Sequence, residues 1–251
     1  MILLLDVGNS RIKWATLEGG ELTYQGATVH EQDNLRSFVN NDLSAVPRPL
    51  RVLVSNVTGK NFVDRFNREA ETAWGIKAEF VVPAQSACGV INAYHEPERL
   101  GSDRWAALIG ARHVHEGAVC VVDCGTALTI DLLAAGGEHL GGLIIPGLEM
   151  MRSALLDRTA DITCNMESLP GDIGAILPAD THGAVRAGAL YAVIAVIDRV
   201  MTDLTDTAGT GITGVICGGA APQLLPLLKM KFIHEPDLVI KGLAVIAGTD
   251  L

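Results

Sequence analysis

The 251 residues carry a formal charge of −10, which favours solubility and argues against a sequence-independent grip on nucleic acid, since that needs clustered cations facing phosphates. Hydrophobic residues make up 49%, glycines number 27 and aromatics supply only 4%, a balance that suits α/β folds with buried strands and argues against disorder. The length admits one large domain or two of about 100 to 150 residues. An anionic substrate would have to be held locally, by glycine-rich turns and helix N-termini. Cys88, Cys120, Cys124, Cys164 and Cys217 are odd in number and form no C-x-x-C pair, so neither a zinc site nor a disulfide framework is expected. Reduced thiols in a cytosolic protein fit best.

In chain order, MILLLD reads as a buried first strand, with no basic flank and too few apolar residues for a signal peptide or membrane span. From Leu3, LLLDVGNSRIKWATLEGG aligns without gaps with CVVDCGTALTIDLLAAGG from Cys120, placing Asp on Asp, Gly on Gly and a Gly-Gly pair at each end. Each copy reads as an apolar strand, an Asp-x-Gly turn, a second apolar run and a Gly-Gly turn, which predicts a β-hairpin. Two duplicated domains around a cleft, 1–116 and 117–251, would account for the repeat.

Between the copies, RVLVSNV predicts a buried strand and Asn61 to Trp74 a helix with Phe62, Phe66, Ala70 and Trp74 on one face. AEFVVPA predicts another strand. LGSDRWAALIGAR predicts a helix capped by Ser102, with Asp103 in its first turn and Trp105, Leu108 and Ile109 facing inward. After the second copy, GGLIIPGLEMM has the pattern of a loop passing close to a ligand, followed by a helix. Val185, Ala189, Ala192, Val196, Val200 and Leu204 recur at helical spacing and predict one helix from Gly183 to about Thr207, its thinly charged middle suited to a domain or subunit contact. GVICGGAAPQLLPLLKM predicts a strand, a Gly-Gly turn and a helix start, where a nucleotide base or ribose could approach the backbone.

Phosphoryl transfer needs donors around the phosphates, a divalent cation and a base on the acceptor hydroxyl. The Asp6 and Asp123 turns offer the first two: glycine lets the backbone approach phosphate, and the carboxylate can hold a metal ion directly or through water. Asn9, Ser10, Lys13 and Thr126 are candidate side-chain donors. A single Asp-x-Gly is also an ordinary turn, and the gapless repetition is what favours function. Asp103 reads either as a helix N-terminal carboxylate satisfying the macrodipole, or as a general base with Arg104 as a bidentate clamp for an anionic acceptor. On their own, Tyr94, His95 and Thr181 read as solvated positions.

Taken together, DVGNS at Asp6, GSDR at Gly101, DCGTALT at Asp123, GGLIIPG at Gly141 and THGAVRAG at Thr181 closely resemble type III pantothenate kinases, in order, over most of the chain. The resemblance implies an α/β fold of duplicated ribonuclease-H-like domains of the actin-like ATPase kind, with mixed sheets flanked by helices and ATP in a cleft. It implies phosphorylation of pantothenate to 4′-phosphopantothenate, the opening step of coenzyme A synthesis. It assigns Asp6, Val7, Gly8, Asn9, Ser10, Arg11, Ile12 and Lys13 to ATP phosphates, Asp6 also to magnesium, and Thr126 to the nucleotide. Asp123 would bind a monovalent cation, potassium or ammonium. Tyr94, Gly101, Ser102, Asp103, Arg104 and Thr181 would hold pantothenate, with Asp103 taking the proton from its primary hydroxyl and Arg104 meeting its carboxylate. Ser10 stands where Thr is usual and keeps the hydroxyl, while Ala15 stands where many members have Gly. A homodimer follows from the same resemblance, while a cytoplasmic location without nucleic-acid or membrane partners is what the cysteines, the charge and the short apolar runs lead one to expect. The competing readings are a non-catalytic nucleotide- or metabolite-sensing member of the fold, and an actin-fold enzyme of another reaction, such as a sugar kinase or polyphosphate phosphatase. A sugar pocket would present several Asn, Asp and Glu groups in place of a Tyr, Arg and Thr set.

Overall fold

The computed structural model describes residues 1–30, 34–158, 176–208 and 211–248. Its strands are β1 (Ile2–Val7), β2 (Arg11–Glu18), β3 (Glu21–Val29), β4 (Arg51–Asn56), β5 (Glu79–Phe80), β6 (Ser86–Ala87), β7 (Val90–Ile91), β8 (Ala118–Cys124), β9 (Ala127–Leu133), β10 (His139–Pro146), β11 (Ile212–Cys217) and β12 (Phe232–His234). The α-helices are α1 (Leu35–Ser37), α2 (Lys60–Trp74), α3 (Ser102–Val114), α4 (Leu148–Arg158), α5 (Thr181–Ala208), α6 (Ala221–Leu224) and α7 (Leu238–Gly248). They form two compact units: Met1–Glu116 with Leu133–Gly141 and Asp237–Leu251, and Gly117–Leu132 with Gly142–Pro236.

In the first unit the sheet runs β3-β2-β1-β4-β5, with β1 antiparallel to β2 and parallel to β4. Leu3, Leu5 and Val7 alternate with Leu4 along β1 and all four are fully buried, as a central strand covered on both faces requires. One face packs with Trp14, Val52 and Val54 against α2 and the segment of α1 that runs on into a π-helical turn, Phe38–Asp42. The predicted stripe of Phe62, Phe66, Ala70 and Trp74 is the buried face of α2, which stops at Gly75 in the left-handed conformation. On the other face α7 packs against β1, β2 and β4, and α3 against β4 and α7. The two helices touch at glycines: a Cβ on Gly110 would lie 2.5 Å from Leu238 O, and one on Gly242 would collide with Ala106 O.

In the second unit the sheet runs β10-β9-β8-β11-β12, the same order as the first. Parallel pairing of β8 with β11 and of β11 with β12 repeats that of β1 with β4 and β4 with β5. Asp6 and Asp123 are each the penultimate residue of the central strand, and both Gly-Gly pairs lie in the connection to the third strand. This is the expected duplicated α/β fold with mixed sheets and flanking helices.

Four local expectations differ from the structure. GGLIIPG is not a loop: Gly141–Pro146 belong to β10, an edge strand, because β-branched Ile144 and Ile145 favour extended backbone. Within α5 Val185 and Ala189 are buried as expected, but the buried face continues through Leu190, Val193, Ile197 and Met201, while Ala192 is exposed and Val196, Val200 and Leu204 are half-buried. The expected set leaves this face at its three-residue step from Ala189 to Ala192, about 300° of turn, whereas the buried residues continue from Ala189 in steps of four, about 400° each. AEFVVPA yields only the two-residue β5, since Pro83 has no N–H to continue a ladder. Ser102 does not cap α3; Gly101 occupies the N-cap position, and Ser102 turns instead toward β4. Cys164 lies outside the described residues.

Candidate active site

The stretch Asp6–Lys13 divides by direction. Val7 and Ile12 point into the core, 0% and 2% exposed, so only their backbone can meet a phosphate. Asn9, Ser10 and Arg11 are exposed, and Gly8–Ser10 form the turn, closed by the Gly8 N–H donating to Arg11 O at 2.9 Å. Asp6 lies opposite Lys13 on β2 and opposite Ser55 on β4, so these three side chains share the sheet face that carries α3 and α7. Lys13 Nζ is 4.0 Å from Asp237, just before α7.

Ser55 brings the segment 101–104 to this turn. Its Oγ is 3.1 Å from Ser102 Oγ, a buried contact, and Ser102 also accepts the Asn56 N–H at 3.0 Å. The next residue is Asp103, whose Oδ1 accepts the Arg104 backbone N–H at 2.7 Å. That places a carboxylate in the first turn of α3, at the positive end of the helix. A Cβ on Gly101 would lie 2.5 Å from Asp103 Oδ1, so any other residue there would displace that carboxylate.

Arg104 is buried, 5% exposed, with Nη1 donating to Tyr94 OH at 2.8 Å and its guanidinium 5.7 Å from the centre of the Tyr94 ring. The Tyr94 ring also stacks on buried His139, the ring centroids 6.1 Å apart and 17° from parallel. Asn92 fixes the loop that carries Tyr94: its Oδ1 accepts the Tyr94 N–H at 3.0 Å, while Nδ2 donates to Ala84 O and Pro97 O. Neither His139 nor Asn92 carries a motif; each acts through partners distant in sequence or through a loop whose shape the sequence does not declare.

In the second unit, Asp123 pairs with Cys217 at the ends of β8 and β11. Its turn is shorter than that of Asp6, only Gly125 and Thr126 lying between the strands. Thr126 O accepts the Gly147 N–H at 3.0 Å and Cys124 O the Ala220 N–H at 3.0 Å, which ties the turn to the starts of α4 and α6. A Cβ on Gly218, at φ +88°, would collide with Asp123 Oδ1 and the Cys124 backbone, so only glycine leaves this side of the carboxylate open. The neighbouring thiols stay protonated: burial and then the Asp131 charge push Cys120 up to about 12, and burial and then the Asp123 charge raise Cys124 further. Thr181 is the exposed first residue of α5, and the adjacent Asp180 supplies the cap, accepting the Gly183 N–H at 2.7 Å. Among the described residues no helix is long and apolar enough to cross a membrane.

The sequence profile of the family described as Type III pantothenate kinase matches residues 2–203. A type III pantothenate kinase of Nitrosococcus oceani is 43% identical over 252 residues, covering 98% of this chain and 94% of that one. That of Aromatoleum aromaticum is 37% identical over 250 residues, covering 100% and 99%. A solved structure from Campylobacter jejuni, assigned to a Baf family of transcriptional activators, shares the fold with a TM-score of 0.60 at 19% identity, covering 98% of this chain and 97% of that one. Likeness of fold alone names no chemistry, but a profile match through both Asp turns, with relatives this similar over nearly their whole lengths, does fix the family: this chain is a member of the type III pantothenate kinases.

Proposed function

We propose that this chain transfers the γ-phosphoryl group of ATP to the primary hydroxyl of pantothenate, giving 4′-phosphopantothenate in the first step of coenzyme A biosynthesis. The supporting observation is the Ser55–Ser102 contact, which joins the strand end beside Asp6 to the helix turn that carries Asp103. A phosphate-binding turn and an acceptor base then belong to one rigid framework, as a reaction that depends on positioning requires.

In this reading Asp103 takes the hydroxyl proton as the oxygen attacks the γ-phosphorus and ADP leaves. Its carboxylate is oriented by the Arg104 N–H on Oδ1. Arg104, its head fixed by Tyr94, meets the pantothenate carboxylate, with Gly101, Ser102 and Thr181 as further contacts. Asp6 and the Gly8–Lys13 backbone and side chains receive the phosphates, and Thr126 receives the nucleotide. Asp6 would hold magnesium, one carboxylate sufficing for an ion that retains water ligands, and the ion would supply charge compensation for the transferred group. Asp123 would hold potassium or ammonium, a role that suits a carboxylate whose open side a Cβ at Gly218 would fill.

The sequence halves 1–116 and 117–251 are read as the duplicated domains, and the working protein as a cytoplasmic homodimer. The exposed Leu143, Ile144, Met150 and Leu155 on β10 and α4 suit a surface covered by a second copy. The test is ADP release from ATP, magnesium and potassium with pantothenate, against a panel of sugars, with the product identified by mass. Turnover with a sugar and none with pantothenate would overturn the reading.

A further inference from the structure

His30 follows β3 and is 8% exposed, yet both of its hydrogen-bonding groups on one side are spent on the Gly8–Ser10 turn. Its backbone N–H donates to Ser10 O at 2.9 Å, and its ring Nδ1 lies 2.7 Å from Gly8 O. A carbonyl oxygen accepts only, so Nδ1 is the protonated nitrogen and donates. The ring cannot swing away: it meets Phe62 edge-on, centroids 5.6 Å apart at 89°, and Phe62 is itself stacked on Phe66 in the core.

The other ring nitrogen separates this arrangement from ordinary packing. Nε2 is buried and has no hydrogen-bond partner among the described residues. His30 also lines a small depression together with Leu35, Thr58, Asn61, Phe62 and Arg65. A buried polar atom left without a partner is costly, and an apolar ring of the same size would fill this space without that cost. What the imidazole adds over such a ring is the bond to Gly8 O.

That bond sets a direction. In a planar trans peptide the C=O and the following N–H point opposite ways. With Gly8 O turned to His30, the Asn9 N–H points to the other side, away from the core, where Asn9 is exposed. A Gly-containing turn without this constraint can flip its peptide and present a carbonyl oxygen to an anion instead of a donor.

We propose that His30 is a positioning residue for the nucleotide: by holding the Gly8 carbonyl inward it fixes the Asn9 N–H toward the phosphates of ATP. The proposal rests on the reading of the Asp6 turn as the phosphate site.

The test compares wild type with His30→Phe, which keeps the ring against Phe62 but has no donor, and His30→Asn, whose side-chain N–H can stand near Nδ1. Each is measured for the KM of MgATP, the KM of pantothenate, the Kd of magnesium with a non-hydrolysable ATP analogue, and the thermal midpoint. In His30→Phe the KM of MgATP and the analogue Kd rise about tenfold, the loss of one hydrogen bond to phosphate, while the KM of pantothenate holds. In His30→Asn both nucleotide constants stay within about threefold of wild type. Wild-type nucleotide constants in His30→Phe overturn the proposal, as does an equal rise in both KM values. Should His30→Phe not fold, His30→Asn decides alone, and a tenfold rise in its analogue Kd counts against the role. Failure of wild type itself to bind the analogue sinks the phosphate-turn reading, and the His30 role with it, a result distinct from binding that is indifferent to residue 30.

Discussion

Ser102 Oγ satisfies three groups of β4 at once: it donates to Asn56 O at 3.2 Å, accepts the Asn56 N–H at 3.0 Å and stands 3.1 Å from Ser55 Oγ. One hydroxyl has one proton and two lone pairs, so the donation to Asn56 O makes Ser55 the donor in the remaining bond. Ser102→Ala therefore leaves a buried N–H and a buried hydroxyl without this partner. A loss of about 1–3 kcal/mol is expected, read as a lower denaturation midpoint. Because the first turn of α3 is held there, kcat should fall as well. An unchanged midpoint would mean that α3 is seated by its apolar face alone.

Replacing Asp103 by Asn keeps the shape of the side chain and a carbonyl oxygen for the Arg104 N–H, but removes the base. The expected effect is a fall in kcat of about 10² to 10⁴-fold, with nucleotide binding little altered. Rapid-quench turnover and analogue binding on the same preparation separate the two. Retention of more than a tenth of the wild-type kcat would assign the carboxylate to the helix terminus and not to the chemistry.

Arg104 holds Tyr94 through a hydrogen bond and a ring contact together, which a Lys ammonium on a flexible stem cannot reproduce. Arg104→Lys should cost about 2 kcal/mol of discrimination for a carboxylated acceptor, roughly thirtyfold in kcat/KM. The alcohol analogue of pantothenate, which lacks the carboxylate, should be nearly indifferent to the change. Equal losses for both acceptors would argue that Arg104 serves only to seat Tyr94.

Much of this architecture is written locally. The buried face of α2 and the two hairpins follow from residues that repeat at helical or strand period or mark a turn, so each is fixed by its own neighbours. The covering of the first sheet by α7 is not of this kind. LVIKGLAVIAG is apolar on nearly every side, and what seats it against α3 is the absence of side chains at Gly110 and Gly242, far apart in sequence. In the site, Asp6, Asp103 and Asp123 sit in short motifs and could be picked out. His30, Ser55 and His139 could not, because each gains its meaning from a partner that only the folded chain brings near, and Asn92 could not, because it acts through the shape of the loop it ties together.

Cys120 and Cys124 sit within and at the end of β8, one of them flanking Asp123, where a reactive thiol would be a liability. Burial and neighbouring carboxylates raise both, Cys120 to about 12, so thiolate is scarce at any pH the fold tolerates. In native protein at pH 8 these two should resist alkylation by iodoacetamide over hours, while half-buried Cys88 reacts first among the described cysteines. Peptide mapping reads this directly. Early labelling of Cys124 would mean that the Asp123 turn opens readily.

Arg51 and Glu79 form a two-bond pair, Nε to Oε1 and Nη2 to Oε2, each 2.9 Å, linking β4 to the end of the short strand β5. The hydrogen bond from Arg51 holds the Glu79 carboxyl below the usual range, burial opposes it, and the Arg51 charge adds to the lowering. A carboxyl whose value is lowered by folding contributes stability above its unfolded value, about 4.3, and loses it as pH falls through the folded value. Both side chains are substantially exposed, 36% and 46%, so the screened contribution is small, about 0.5 kcal/mol. Glu79→Gln should cost about that much at pH 7 and lose that cost at an acid pH below the lowered folded value of Glu79, where the wild-type carboxyl is itself protonated. Urea midpoints at the two pH values measure it, and a cost that persists undiminished in acid would show that the pair anchors β5 by shape and neutral hydrogen bonding, independent of its charge.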